Sequence, residues 1–231
     1  MFNRKLIVGA AALALVASAA HAAPVIIDDF VSESAVRVPA LGDQQTSGQF
    51  PAPSAVGGER DLQVSRQAGS QAVELNTLSS GILSFNNGVG SRGTAIIDWD
   101  GADDALGRDT DGLGGIDLTI GNLPAFVLNF EEVNVGVSYD FSVFDVDGNE
   151  SVFGPIAVPT ATEQTVLLAA FTGTADFSRV GSIRLTLQAT QNNADIAISR
   201  ISVVNTPIPA PLALLTAGLI GLAFVGRRRT A

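Results

Sequence analysis

The sequence predicts an all-β protein, an antiparallel β-sandwich of jelly-roll type between two apolar terminal segments. Apolar residues occupy the odd positions of residues 133–143, which is the two-residue period of a half-buried strand. Short runs rich in Val, Ile and Phe are separated by turn signals such as Asp147-Gly148. No stretch between the terminal segments keeps a helical period, so we expect the strands to pack sheet against sheet.

The other predicted strands lie at residues 25–31, 62–66, 72–75, 81–85, 94–98, 116–120, 126–130, 165–171, 183–187 and 195–198. The alternation slips at Arg200-Ile201, which predicts a β-bulge. We interpret Gln191-Asn192-Asn193 as a hairpin turn between the last two predicted strands. Residues 40–58 are rich in Gly, Pro, Ser and Gln without periodicity, which predicts a long loop.

Charge and residue types limit the chemistry of residues 23–206. Eight arginines against 23 acidic residues give this segment a net charge of −15, which repels phosphate backbones and argues against a nucleic-acid partner. The chain has no cysteine, and its only histidine and lysine, His21 and Lys5, precede this segment. Ser-His-Asp and Cys-His catalysis, Schiff-base chemistry and histidine-ligated zinc are therefore excluded, and we expect no enzymatic activity.

The N-terminus has the three parts of a secretory signal peptide. Asn3-Arg4-Lys5 is basic, residues 6–17 are apolar, and Ala20-His21-Ala22 places small residues where signal peptidase requires them. We expect residues 1–22 to be removed between Ala22 and Ala23. The mature protein then begins with the 23–206 passenger domain.

The C-terminal segment, residues 207–231, combines a proline motif, an apolar run and a basic end. Pro207-Ile208-Pro209-Ala210-Pro211 precedes the apolar run, and Arg227-Arg228-Arg229 follows it. Residues 210–226 would form a helix of about 25 Å, which is short for a hydrocarbon core of about 30 Å. The arginines would keep the end of this transmembrane helix cytoplasmic, with the passenger across the membrane.

This arrangement resembles a PEP-CTERM sorting signal, in the variant whose motif is Val-Pro-Leu-Pro-Ala. The resemblance implies processing by an exosortase, transient residence in the inner membrane, and release or attachment at a Gram-negative cell surface. The alternative is an ordinary C-terminal anchor helix that is never cut.

Short patches of the passenger resemble jelly-roll modules of the carbohydrate-binding and galactose-binding kind. These patches are Ile26-Ile27-Asp28-Asp29-Phe30, Gly57-Gly58-Glu59-Arg60-Asp61-Leu62 and Asp195-Ile196-Ala197-Ile198. The resemblance implies that the first and last strands lie side by side.

An acidic, glycine-rich segment at residues 98–117 is a candidate calcium site. It contains Asp98, Asp100, Asp103, Asp104, Asp109, Asp111 and Asp117. Because Ca²⁺ prefers six to eight oxygen ligands, we predict that Asp98, Asp100, Asp103, Asp109 and Asp111 bind it, with no other cofactor required. The alternative is a solvated acidic loop. Trp99, inside this segment, either stacks on a sugar ring or anchors the core.

These features predict an exported, non-enzymatic cell-surface or matrix protein that is associated with exopolysaccharide, as in a biofilm. Two alternatives stay open. One is a lectin-like, glycan-binding module with a defined sugar pocket. The other is a glycoside hydrolase that uses two carboxylates flanking the scissile bond.

Overall fold

The computed structural model of the protein describes residues 23–40, 45–79, 81–103, 108–134, 136–158 and 160–206. Ala20, Ala22 and the whole 207–231 segment, with its proline motif and arginines, lie outside the described residues. Within the described ranges, no helix combines the length and the hydropathy needed to cross a membrane.

The described chain consists of strands joined by turns, with two short 3-10 turns at Val56–Gly58 and Leu168–Ala170. The strands are β1 Val25–Asp28, β2 Ala35–Val38, β3 Gln45–Pro51, β4 Glu59–Ala68, β5 Val73–Ser79, β6 Ile82–Asn87, β7 Arg92–Trp99, β8 Pro124–Val133, β9 Val137–Asp145, β10 Glu150–Ala157, β11 Glu163–Leu167, β12 Thr172–Gly173, β13 Val180–Ala189 and β14 Ile196–Asn205.

These strands form two antiparallel sheets. Sheet 1 has the order β11-β8-β14-β6-β5-β2, and β1 also pairs with β14. Sheet 2 has the order β12-β10-β9-β13-β7-β4-β3. The all-β, two-sheet prediction is confirmed.

The core lies between the inner faces of the two sheets. Successive strand residues point to opposite faces, so Leu62 of β4, Ile97 of β7 and Leu185 of β13 are buried from sheet 2. Phe126 of sheet 1 stacks on Phe141 of sheet 2, with ring centroids 4.8 Å apart. This apolar filling, without any disulfide, holds the sheets together.

The predicted neighbourhood of the first and last strands is confirmed. β1 pairs with β14, with Val25 opposite Val203 and Asp28 opposite Ile201. The predicted bulge in the last strand is also present, because the register of β14 against β8 shifts between Ile198 and Arg200. A bulge inserts one extra residue into a strand, so β14 continues as one strand although its alternation of apolar and polar residues slips.

Two predictions about strand continuity are wrong. Residues 133–143 are not one strand, because β8 ends at Val133 in sheet 1 and β9 begins at Val137 in sheet 2. The turn contains Gly136 at φ +75°, and the apolar alternation happens to continue on both sides of it. Gln191-Asn192-Asn193 does not close a hairpin either, because it carries the chain from β13 in sheet 2 to β14 in sheet 1.

Three other boundaries differ from the predictions. Residues 40–58 contain β3, a polar strand at the edge of sheet 2 that pairs only with β4 and therefore needs no apolar alternation. Residues 116–120 form a single bridge, Ile116 to Val180, instead of a strand. The predicted strand at 165–171 stops at Leu167 and continues as the 3-10 turn.

A buried ionic cluster joins the two sheets near β1. The Asp28 carboxylate accepts hydrogen bonds of 2.8 Å from Nε and Nη2 of Arg60 and from Nε1 of Trp99. The backbone N–H of Phe30 donates a fourth, also at 2.8 Å. Nη1 of Arg60 donates to the Ser32 carbonyl and to hydroxyl oxygens of neighbouring side chains. The buried charges are thus paired and hydrogen-bonded, which burial of an ion pair requires.

Candidate functional site

The outer face of sheet 2 carries a transverse row of polar side chains. Pairing across five strands places Gln49, Asp61, Asp98, Arg184 and Ser142 side by side, each directly opposite the next. Their sequence neighbours on β4, β7 and β13 point into the core, so the strand period of two turns this whole row outward. The next row along these strands contains Ser47, Gln63, Ile96 and Thr186.

A small cleft of about 80 Å³ lies in the middle of this face. Its lining residues are Ser47, Asp61, Leu62, Gln63, Asp98, Arg108 and Arg184. Most of these side chains carry hydrogen-bonding groups, and the residues come from β3, β4, β7, β13 and the loop after β7. The cleft can therefore hold a small polar group of a ligand that lies across the sheet.

Asp98 and Arg184 form the charged centre of the cleft. Nε and Nη2 of Arg184 each donate a hydrogen bond of 2.7 Å to one carboxylate oxygen of Asp98. This two-point pair fixes the plane of the guanidinium. Hydrogen bonding to Asp98 raises the pKa of Arg184, so its positive charge is held at the cleft wall.

The acidic residues around Asp61 have hydrogen-bond donors of their own. Nε2 of Gln49 donates to Oε1 of Glu59 at 2.6 Å and to Oδ1 of Asp103 at 2.8 Å. Oδ2 of Asp100 accepts a hydrogen bond of 2.9 Å from the backbone N–H of Asp109. These contacts hold several carboxylates close to one another near Asp61.

Asp61 is the exception in this cluster. It is 9% exposed, and its Oδ1 is buried without a hydrogen-bond partner among the described residues. Burial, followed by the charges of Asp100, Glu59, Asp103 and Asp98, raises the pKa of Asp61 to about 7. Burial is also the main reason that the pKa of Asp100 is raised to about 6. Burial thus brings the pKa of Asp61, which lines the cleft, and that of the neighbouring Asp100 closer to neutral pH.

Arg108, from the loop after β7, also lines the cleft. Its guanidinium carbon lies 3.7 Å from the centroid of the Phe144 ring, in cation–π geometry. Burial, and then the nearby charge of Arg184, lowers the pKa of Arg108. Phe144 is therefore covered by a cation, and its ring face is not open as a platform for a sugar.

The loop after β7 approaches the end of that strand very closely. A Cβ atom on Gly112 would lie 1.7 Å from the carbonyl oxygen of Asp100, and one on Gly101 would lie 2.3 Å from the carbonyl oxygen of Gly112. Only glycine allows this contact. It keeps residues 108–112 against the strand end, where Asp109 reaches Asp100.

Trp99 is not on the surface, where a glycan could contact it. The indole is fully buried and points into the core, where its Nε1 donates to Asp28. It is therefore a core anchor, the other interpretation that the sequence left open.

The predicted calcium ligands are only partly brought together. Asp98 is paired with Arg184, Asp103 contacts Gln49, and Asp117 caps its own turn by accepting from the Thr119 N–H at 2.7 Å. The backbone N–H of Asp111 donates a hydrogen bond of 3.2 Å to Oδ1 of Asp109. Asp104 lies outside the described residues, and within the ranges described no three acidic side chains are arranged around one metal position.

Sequence reasoning missed Asp61, Gln49, Gln63, Arg108 and Arg184 as parts of one site. These residues are distant in the sequence and meet only through strand register, from β3 to β13. The available signal was the alternation of polar residues on the predicted strands. It shows which side chains point outward, but not which strands are neighbours in the same sheet.

A second, more open cleft lies on sheet 1. It has a volume of about 260 Å³ and is lined by Pro24, Val127, Asn129, Glu163, Arg200, Ser202 and Val204. Nε of Arg200 and Oδ1 of Asn129 are buried without a hydrogen-bond partner among the described residues. Both side chains are only half-buried overall, so this cleft is less enclosed than the one on sheet 2.

No protein-family model matches the chain, and no curated protein is significantly similar to it in sequence. Several solved structures are similar in fold. The structure of PfGH50B is 14% identical with a TM-score of 0.41, and the match covers 63% of this chain but only 23% of that one.

The others include carbohydrate-binding modules. A solution structure of the family 11 module CtCBM11 is 11% identical with a TM-score of 0.40, covering 83% of this chain and 99% of that one. A family 29 module complexed with mannohexaose is 12% identical with a TM-score of 0.33, covering 79% and 91%.

Proposed function

We propose that the protein is a non-enzymatic, glycan-binding module that acts at a Gram-negative cell surface or outside the cell. In this proposal the signal peptide exports the chain. The 207–231 tail is processed by an exosortase, and the outer face of sheet 2 binds exopolysaccharide.

One observation carries the binding proposal: the transverse polar row with the cleft at its centre. Sugar hydroxyls both donate and accept hydrogen bonds. A face that offers amide, carboxylate, guanidinium and hydroxyl groups at the regular spacing of paired strands can satisfy several of them at once. The row runs across β3, β4, β7, β13 and β9, so an extended chain could lie along it.

The binding is expected to depend on polar contacts instead of ring stacking. Trp99 and Tyr139 are buried in the core, and Phe144 is covered by Arg108. A hydrogen bond between the protein and a sugar replaces hydrogen bonds that both groups made to water. Each contact therefore contributes little net free energy, and we expect modest affinity per sugar. Many copies along a polysaccharide would compensate by avidity.

Gln63 provides the test. It lines the cleft and is half-buried, and among the described residues no hydrogen bond of its side chain is found. The full chain should bind at least one member of a panel of immobilised oligosaccharides of glucose, mannose, galactose, xylose, N-acetylglucosamine and uronic acid. Gln63→Ala should weaken that binding without changing the thermal midpoint. The matched control is Gln164→Ala on β11 of sheet 1. No binding to any member of the panel would refute the proposal.

A glycoside hydrolase is a second candidate, favoured by one observation. Asp61, whose pKa is raised to about 7, lies directly opposite Asp98 on the neighbouring strand. A carboxyl that keeps its proton beside a second carboxylate is the arrangement of a general acid and its partner. This candidate predicts sugar release from one member of the panel, abolished by Asp61→Asn. Binding without release supports the non-enzymatic module.

A further inference from the structure

We infer that the cleft on sheet 2 recognises the protonated amino group of an amino sugar, so that the preferred glycan contains free, non-acetylated hexosamine. This inference rests on the proposed glycan-binding function and names its ligand class. The ammonium group would sit beside Asp61, with sugar hydroxyls toward Gln63 and Ser47.

The first support is the state of Asp61. Its Oδ1 lacks a hydrogen-bond partner among the described residues, although the side chain is nine-tenths buried and lines the cleft. A buried acceptor without a donor is unfavourable, and a ligand that brings a donor removes that cost. An ammonium group brings both a donor and a positive charge, which favours the ionised form of Asp61 and so offsets the neighbouring carboxylates that raise its pKa.

The second support is the balance of charge around the cleft. Asp61, Glu59, Asp98, Asp100 and Asp103 are close enough for the last four to raise the pKa of the first. The opposing cations are Arg184, already paired with Asp98, and Arg108, which is stacked on Phe144 and whose Nε is buried without a hydrogen-bond partner among the described residues. The lining itself balances two carboxyls, Asp61 and Asp98, against these two arginines, and the excess of negative charge comes from Glu59, Asp100 and Asp103 nearby. This excess favours a cationic group over an anionic one.

The remaining lining residues select a sugar over a simple cation. Gln63 and Ser47 offer an amide and a hydroxyl from neighbouring strands, directly opposite each other in register. These groups can pair with the hydroxyls next to an amino group on a sugar ring, and among the described residues no three acidic side chains surround one metal position. An ammonium group has three hydrogen-bond donors and needs only a few acceptors, whereas Ca²⁺ takes six to eight oxygen ligands. A small cleft with few oxygens therefore suits the ammonium group better.

Three hexasaccharides with the same β-1,4 backbone test this inference. They are hexamers of glucosamine, N-acetylglucosamine and glucose, which differ only in an ammonium, an acetamide or a hydroxyl at the second carbon. With the full chain in calorimetry at fixed ionic strength, we expect the glucosamine hexamer to bind about tenfold more tightly than the other two. Asp61→Asn should remove that preference, and Glu132→Gln on sheet 1, which likewise replaces a carboxyl by an amide, should not.

The outcomes separate the inference from the proposed function. Equal binding of all three hexamers, or binding only of neutral glycans from the wider panel, overturns the amino-sugar inference and leaves the glycan-binding proposal intact. No binding to any glycan refutes both. Equally tight, Asp61-dependent binding of a lysine hexapeptide would overturn the inference in favour of a basic peptide. Displacement of the glucosamine hexamer by millimolar Ca²⁺, with Ca²⁺ bound stoichiometrically by the protein alone, would overturn it in favour of a metal site. The comparison among hexamers uses the unmodified protein, so it stays decisive even if a variant folds poorly.

Discussion

Asp28 and Arg60 form a two-point ion pair with both hydrogen bonds at 2.8 Å, and neither side chain is exposed to solvent. Asp28 belongs to β1 of sheet 1 and Arg60 to β4 of sheet 2, so the pair bridges the sandwich. Such a pair adds little net free energy compared with an apolar pair, but removal of one partner leaves the other charge buried and uncompensated.

We therefore expect Arg60→Met to destabilise the fold by about 3–5 kcal/mol. Urea unfolding of the full chain measures the change. Arg60→Lys keeps the charge but loses the two-point geometry, and should have a smaller effect. The exposed pair of Arg179 and Asp147 is the contrast: Arg179→Met should hardly move the unfolding midpoint. Equal effects at Arg60 and Arg179 would contradict the assignment of the buried pair as the link between the sheets.

Trp99→Phe should destabilise the fold and leave glycan binding unchanged. The substitution keeps a large ring in the core but removes the indole N–H that donates to Asp28 at 2.8 Å. Loss of one hydrogen bond to a charged group predicts a decrease of about 1.5–3 kcal/mol in the free energy of unfolding. Chemical unfolding and the glycan panel are measured on the same protein. Weaker glycan binding at unchanged stability would show that Trp99 acts at a surface and not in the core.

Stability should fall as the pH rises toward neutrality. Folding raises the pKa of Asp61 from 3.8 to about 7 and that of Asp100 to about 6. The folded chain then holds protons that the unfolded chain has already lost, so the free energy of unfolding decreases from the ordinary pKa of 3.8 up to about 7. Asp145 acts in the opposite sense at lower pH: hydrogen bonds, first from Asn149, lower its pKa to about 2.

Asp61→Asn should flatten this decline and raise the thermal midpoint at about pH 8, where the wild-type carboxyl must ionise. The measurement is a series of thermal midpoints from about pH 5 to about pH 8 for both proteins. Asp117→Asn is the matched control. Hydrogen bonds from Thr119 lower the pKa of Asp117, so its influence lies below this range. A wild-type midpoint that rises steadily through this range would contradict the prediction.

Calcium binding by residues 98–117 stays a prediction from the sequence. The backbone N–H of Asp111 donates to the side chain of Asp109, and the backbone N–H of Asp109 donates to Asp100, so three of the predicted ligands are near one another. A cation that binds only the folded chain raises the thermal midpoint by mass action. The comparison is the full chain with millimolar Ca²⁺ against EGTA, and again with Asp109→Asn combined with Asp111→Asn. An unchanged midpoint, with no calcium detected by calorimetry, would leave these carboxylates as surface charge.

The termini of the mature protein are predicted from the sequence alone. Cleavage after Ala22 should give Ala23 as the first residue, because small residues stand at Ala20 and Ala22. Exosortase processing should end the chain within 207–211. Mass analysis of the protein from fractionated cells of the native bacterium determines both ends. A surface-exposed protein that still ends at Ala231 would replace the exosortase interpretation with a simple anchor helix.

The sequence alone was enough to predict the β-sandwich and the positions of the strands that bury one face. Residues 183–187 alternate cleanly and lie inside β13, where Ile183, Leu185 and Leu187 fill the core. The alternation records which face is buried, and this is a local property of a strand. The polar strand β3 lacks this alternation. It lies at the edge of sheet 2, where a strand needs few apolar residues.

The sequence was insufficient for anything that depends on which strands become neighbours. Turn residues at Asn192 and Asn193 specify a change of direction, but not that the next strand belongs to the other sheet. The same limit applies to the cleft. In the sequence, Asp61 and Asp98 look like ordinary surface acids. Only the pairing of β4 with β7 places them opposite each other, and only burial in the fold raises the pKa of Asp61.

The position of β14 also determines how the sandwich would respond to mechanical load. This last strand is internal to sheet 1, paired with β8 on one side and with β6 and β1 on the other. A pull on residue 206 along the strand, resisted at the outer face of sheet 2, would stress its hydrogen bonds to β8 together in shear. An edge strand under the same pull would peel away one bond at a time. A module that is attached at its C-terminal side and bound to a polymer would thus transmit tension through β14, which is paired on both sides.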